Sequence, residues 1–417
     1  MSPWNLQAIF LIVFLGTEFF FFWLDVKNFR YGSRKARENE EELRDKMGVE
    51  DVEKLIRYNR AKTGFSNLKS VVTIVIVALF VYSGLFQQSI SVLDRVTGNH
   101  WYQGMLFFAA LTVIGLLMSL PFSAFETFVL EENFGFNEQG IGLWIKDKIK
   151  GLVIGLCFTA ILAGTILWFI EFFPTTWWLW GWGLMVGFGL LMQIIYPRFI
   201  APMFNDFEPV EESELREHVN EVFDRAGFHC DQVFTMDASK RSGHSNAYFT
   251  GFGQTKRVVL FDTLIDQLDF DEIQSVLAHE LAHWKKGHVW KRIGRSALRT
   301  GIMFGLVYWM VESAWLYEMF WIPEKLRYVG LLLAGVWLTP ITQWLSPLEN
   351  WMSIRDEREA DEFAVEVMET GEGLIQGLYN MVGENLSNPY PHPWYAAFHY
   401  THPPIPDRVE SIREAGN

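Results

Sequence analysis

Cysteine is almost absent: Cys157 and Cys230 are the only thiols in 417 residues. Cys157 lies in an apolar run and Cys230 in a polar one, so the two fall in different phases and no disulfide framework is expected. Positive charge is also short. The formal net charge is -14 and no basic block offers a phosphate-binding surface, which argues against nucleic acid as a partner. The N-terminus has neither a basic leader nor a small-residue cleavage site, so its long apolar run reads as a retained span. No repeat with a period of about 20 to 50 residues is present, and no low-complexity tract.

Apolar and aromatic residues fill the place of what is missing. Half the chain is hydrophobic, with 36 Phe and 18 Trp, which excludes an ordinary soluble enzyme and points to a membrane protein. Apolar runs long enough to cross roughly 30 Å of hydrocarbon fall at about 6–24, 71–86, 105–122, 152–170, 177–195, 302–321 and 329–345. About seven spans are therefore expected. Between them, residues 25–69 read as solvated helix, and 198–295 pass from charged helix through strand alternation to a further helix. The chain divides into spans one to five (1–197), a soluble segment (198–297), a hairpin of spans six and seven (298–347) and a soluble C-terminal segment (348–417). Lys and Arg concentrate in 25–69, 146–150, 198–295 and 355–358, which places these stretches on the cytoplasmic side. Both soluble segments then share one membrane face and can build one site.

The chemistry centres on His279-Glu280-Leu281-Ala282-His283. On a helix, residues four apart project from one face, so both imidazoles suit a single Zn²⁺ while Glu280 can take a proton from a metal-activated water. Asp269 and Glu272 form the N-cap pair that starts this helix, and Ile273, Val276, Leu277, Leu281 and Trp284 give it a buried face. A third ligand is needed. Lys286 and Val289 stand where the metzincin extension requires Gly and His, so that class is excluded. Glu312, Glu318 and Glu324 fall in or beyond the membrane, leaving Glu349 and Glu357. Glu357 is preferred because Asp361 follows one helical turn later, where it can orient a ligand histidine.

Other stretches fit a peptide-cleaving site. His244 to Phe252 and Lys256 to Phe261 read as two strands joined at Gly253-Gln254-Thr255, and an exposed strand edge can hold an extended peptide. Asn246 can add a contact to the peptide backbone. Near the C-terminus, His402 is a candidate oxyanion donor, and Arg408 can brace a ligand carboxylate or the substrate. His288 and His392 read as structural or peripheral, with His399 left open by its closeness to His402.

Several pieces together resemble the integral-membrane type I CAAX prenyl endoproteases: HELAHWKKGH at 279–288, EREADEFA at 357–364, SNAYFTGF at 245–252, VLFDTL at 259–264 and HPPIPDR at 402–408. Three more are YNRAKTGF at 58–65, LPFSAFETFVLEENFGFN at 120–137 and IAPMFNDFEP at 200–209. The resemblance implies seven membrane helices around a chamber, capped by a mostly helical zincin-type domain with a small sheet. It implies one Zn²⁺ on His279, His283 and Glu357, Glu280 as general base, Asp361 as an outer support, His402 as transition-state donor, and Asn246 and Arg408 in substrate binding or site architecture. Ala282 departs from the family's usual Gly. The implied partners are a peptide or protein substrate, prenylated in the family and cut near its C-terminus, and the lipid bilayer. The final ArgGluAlaGlyAsn lacks a dilysine retrieval signal, which favours a bacterial inner membrane over the endoplasmic reticulum. Two alternatives stand beside this: a quality-control protease for non-prenylated membrane proteins, and a transporter or receptor with structural zinc.

Overall fold

The computed structural model describes residues 2–416 except 212, 229, 231 and 251–256. Long helices dominate it: α1 (Pro3–Glu38), α2 (Val52–Tyr82), α3 (His100–Phe125), α4 (Ile141–Phe172) and α5 (Trp177–Ile195). Ser2 starts α1 by accepting a hydrogen bond from the Asn5 amide, with Pro3 in the first turn where its missing N–H costs nothing. After α6 (Glu214–Arg225) come α7 (Phe270–Lys285), α8 (His288–Glu312), α9 (Arg327–Met368), α10 (Glu372–Asn385) and α11 (Ile405–Ala415).

Among the described residues six helices are long and apolar enough to cross a membrane: α1 to α5 and α9. The expected sixth span, 302–321, is not one helix. α8 ends at Glu312, and the chain turns at Ser313 into a short helix, Ala314–Glu318. Lys291, Arg292, Arg295 and Arg299 charge its first half, while Met310 and Val311 near its end are buried in the membrane-side core. α8 packs against α5 and α9 and makes the seventh helix of the bundle. A cavity of about 1000 Å³ opens between α3, α4, α8 and α9, its wall including Phe108, Phe158, Met303 and Leu331.

The seventh expected span is part of something longer. α9 runs unbroken for 42 residues, through Pro340 and Pro347, from the membrane core into the soluble domain. Leu333 and Ala334 are buried on the membrane side, and Ala360, Phe363 and Ala364 pack with Ile273, Leu277 and Leu281 of α7 in the soluble core. Each Leu, Ile or Phe among them contributes about 1.5–3 kcal/mol when fully buried.

A four-stranded sheet, order β1-β2-β4-β3, flanks α7: β1 (Phe207–Pro209), β2 (Val233–Met236), β3 (Ala247–Thr250) and β4 (Arg257–Phe261). β2 and β4 are parallel, and β3 pairs antiparallel with β4 in the register Ala247 opposite Leu260. The expected two strands are thus present; the turn at 253–255 lies outside the described residues. β3 is an edge strand.

Candidate active site

α7 begins as the sequence predicts. The Glu272 amide donates to Asp269 Oδ1 at 2.9 Å and the Asp269 amide donates to Glu272 Oε2 at 3.2 Å, closing a capping box. His279 and His283 stand one turn apart and are both buried. Ala282 is fully buried too, and the helix hydrogen bond from the Lys286 amide to its carbonyl is intact at 2.8 Å. α9 brings Glu357 from the facing side. Ligand atoms of His279, His283 and Glu357 all lie within 4.8 Å of one another.

The donor set fits a tetrahedral metal ion. Bonds of about 2.0–2.2 Å in that geometry separate ligand atoms by roughly 3.3–3.6 Å. His279 Nε2 lies 3.2 Å from Glu357 Oε2, and His283 Nε2 lies 3.4 Å from Glu357 Oε1. Glu357 Oε2 is a buried acceptor that meets hydrogen-bond geometry with nothing among the described residues, although His402 Nε2 also stands 3.2 Å away. Two imidazoles and a lone carboxylate oxygen are a set a divalent cation satisfies.

Outer contacts decide which nitrogens face the metal. His279 Nδ1 lies 2.8 Å from Asp361 Oδ1 and 3.4 Å from Arg408 Nη2, and Arg408 clamps the same carboxylate through Nε to Oδ2 at 2.9 Å and Nη2 to Oδ1 at 2.5 Å. His283 Nδ1 meets His288 Nδ1 at 3.0 Å, and His288 Nε2 meets Glu359 Oε2 at 3.1 Å. Arg292 Nη2 also stands 3.2 Å from His283 Nδ1, so the outer partners of His283 converge on Nδ1. Both ligand histidines then turn Nε2 to the centre. His288 is fully buried and touches a candidate ligand, so of its two expected readings the structural one holds and the peripheral one does not. The helical-face argument misses it because Gly287, at φ +71°, ends the first helix and turns the chain between the two histidines. Arg292 is a second unforeseen neighbour, with Nη2 3.3 Å from Glu357 Oε1.

Burial opposes charge on His279, but the carboxylates of Asp361 and Glu357 beside it prevail and lift the ring to about 9. Burial and the charge on His279 push His283 down to about 3. The two shifts run in opposite directions, so positive charge is favoured on His279 over His283. Desolvation raises the Glu280 carboxyl above its ordinary value, which strengthens it as a proton acceptor. His402 also reaches the cluster, and its Nδ1 lies 3.1 Å from the Thr401 hydroxyl. Asn246 sits at the start of β3, exposed, its Oδ1 accepting from the Ala247 amide at 2.8 Å. It belongs to the strand edge, outside the ligand cluster.

Residues 29–206 match the model for the CAAX prenyl protease N-terminal region, described as five membrane helices, and residues 209–415 match peptidase family M48. CAAX prenyl protease 1 of Saccharomyces cerevisiae is 34% identical over 400 residues, covering 89% of this chain and 87% of that one. The chain belongs to the CAAX prenyl protease family of M48 peptidases. A CAAX prenyl protease 1 homolog of Oryza sativa is 35% identical over 318 residues, covering 76% of this chain and 75% of that one. The crystal structure of S. mikatae Ste24p superposes with a TM-score of 0.86 at 29% identity, covering 99% of both chains. This CAAX protease family member is thus a multi-pass membrane metallo-endopeptidase that acts on peptide or protein substrates.

Proposed function

We propose that this protein is a zinc endopeptidase that removes the C-terminal tripeptide of prenylated proteins at the cytoplasmic membrane face. The observation that carries the metal assignment is the convergence of His279, His283 and the partnerless Glu357 oxygen. Two nitrogens and one carboxylate at this spacing suit zinc. The prenylated substrate rests on the likeness to the CAAX prenyl protease 1 sequences; the cytoplasmic face rests on the Lys and Arg distribution.

His279, His283 and Glu357 would hold the zinc, with Asp361 and Arg408 fixing His279. Bound there, zinc supplies the Lewis acidity that makes a water acidic enough to attack at neutral pH. Glu280 accepts the water's proton on its carboxylate and returns it to the departing amine. His402, its Nδ1 accepting from the Thr401 hydroxyl, keeps a proton on Nε2 to donate to the developing oxyanion. Desolvation lowers the His402 pKa, which favours this neutral tautomer. The substrate lies extended along the free edge of β3, with Asn246 contacting its backbone.

The deciding experiment compares wild type with Glu280→Gln in detergent, measuring bound zinc and cleavage of a farnesylated C-terminal peptide. Zinc near one per chain in both, with a rate loss of about 10²–10⁴ in the variant, is the expected result. Unchanged turnover in Glu280→Gln removes the general-base role. Cleavage of an unprenylated membrane peptide at equal rate would favour the quality-control reading.

A further inference from the structure

Two cavities lie at opposite ends of β3, and their chemistry differs. At Thr250 the wall is membrane-side and apolar, with Ile154, Phe158, Phe188 and Met192 around about 470 Å³. Beyond the other end, His244 and Ser245 line a polar cavity of about 670 Å³ that also reaches Tyr400, two residues before His402. A peptide along the β3 edge therefore runs from an apolar end to a polar one, passing Asn246 between them. A chain lipidated on its N-terminal side and ending in a carboxylate fits only with its C-terminus in the polar cavity.

That cavity contains groups suited to an anion. Lys69 and Lys62 both line it. Lys69 is paired with Glu126 at 2.9 Å. Lys62 has no carboxylate within 4.0 Å among the described residues; its Nζ donates to the Tyr58 hydroxyl at 3.3 Å, and that hydroxyl is committed to Glu131 at 3.1 Å. Ser245 Oγ is buried in the same wall without a hydrogen-bond partner among the described residues. Asp25 and Glu126 add negative charge to the cavity, with Glu126 neutralised by Lys69. A buried hydroxyl lacking a partner and an ammonium that Glu131 approaches through the Tyr58 hydroxyl without pairing directly are complementary to a carboxylate.

We propose that Lys62 and Ser245 form the subsite that binds the free C-terminal carboxylate of the substrate, so that the enzyme measures three residues from that end. This rests on the peptidase reading above and deepens it: Lys62 is a specificity-determining residue for the leaving tripeptide. An extended chain advances about 3.3 Å per residue, so a fixed carboxylate sets which peptide bond reaches Glu280.

The test measures binding apart from cleavage. An N-acetylated aliphatic tripeptide, as free acid and as C-terminal amide, is titrated by calorimetry into zinc-loaded Glu280→Gln, alone and combined with Lys62→Met or Lys69→Met. The acid is expected to bind about tenfold tighter than the amide. Lys62→Met should bring the two within twofold, whereas Lys69→Met keeps the preference. In wild type, kcat/KM for a peptide acid over its amide should follow the same pattern. Equal binding of acid and amide, no binding of either, or a preference that survives Lys62→Met overturns the proposal. Acid-selective binding abolished by Lys62→Met, in a protein that cleaves no peptide, would sustain the carboxylate site and sink the peptidase reading.

Discussion

At the residue scale, the two candidate ligand histidines are each held by a different chain of partners. His279 is fixed by Asp361 and Arg408, while His283 depends on His288 and Glu359. Removing an outer partner of a metal ligand typically costs 10–100-fold in affinity or activity. His288→Ala is accordingly expected to weaken zinc binding about 10- to 100-fold, seen in competition with a chromophoric chelator, with activity regained at excess zinc. Unaltered affinity would show that His283 is oriented by other contacts. Asp361 was legible as the residue one turn beyond Glu357. His288 was not, since only the turn at Gly287 brings its ring back against His283.

At the element scale, close backbone approach governs where α10 sits. A Cβ at Gly383 would collide with the carbonyl oxygen of Met47, in the loop before α2. Backbone cannot give way as a flexible side chain does, so Gly383→Ala is expected to destabilise by about 1–3 kcal/mol without touching the catalytic groups. Thermal unfolding in detergent should show a lower Tm, with zinc content near one per chain below it. Gly383 carries no mark in the sequence that separates it from the other glycines. The capping box of α7, by contrast, was readable, because Asp269 and Glu272 act within one turn.

At the scale of the whole molecule, α9 is both membrane span and carrier of Glu357. A metal held between α7 and α9 ties the soluble domain to the helix bundle. Anything that binds only the folded state stabilises it in proportion to its saturation, about 2.7 kcal/mol at a hundredfold excess over Kd. Chelation should therefore lower the Tm by several degrees, and equimolar zinc should restore it. A Tm indifferent to chelator would mean that the packing of Ala360 and Phe363 against α7 suffices. The sequence by itself determined the membrane spans, the two histidines and Glu280, because hydropathy and helical spacing act over adjacent turns. Span count and charge also give the expectation that both soluble segments share one face. Only the tertiary structure showed that span seven continues unbroken to Glu357, that span six stops at Glu312, and that Lys62 and Ser245 share a cavity. Those facts depend on contacts between residues tens to hundreds apart, which no local pattern encodes.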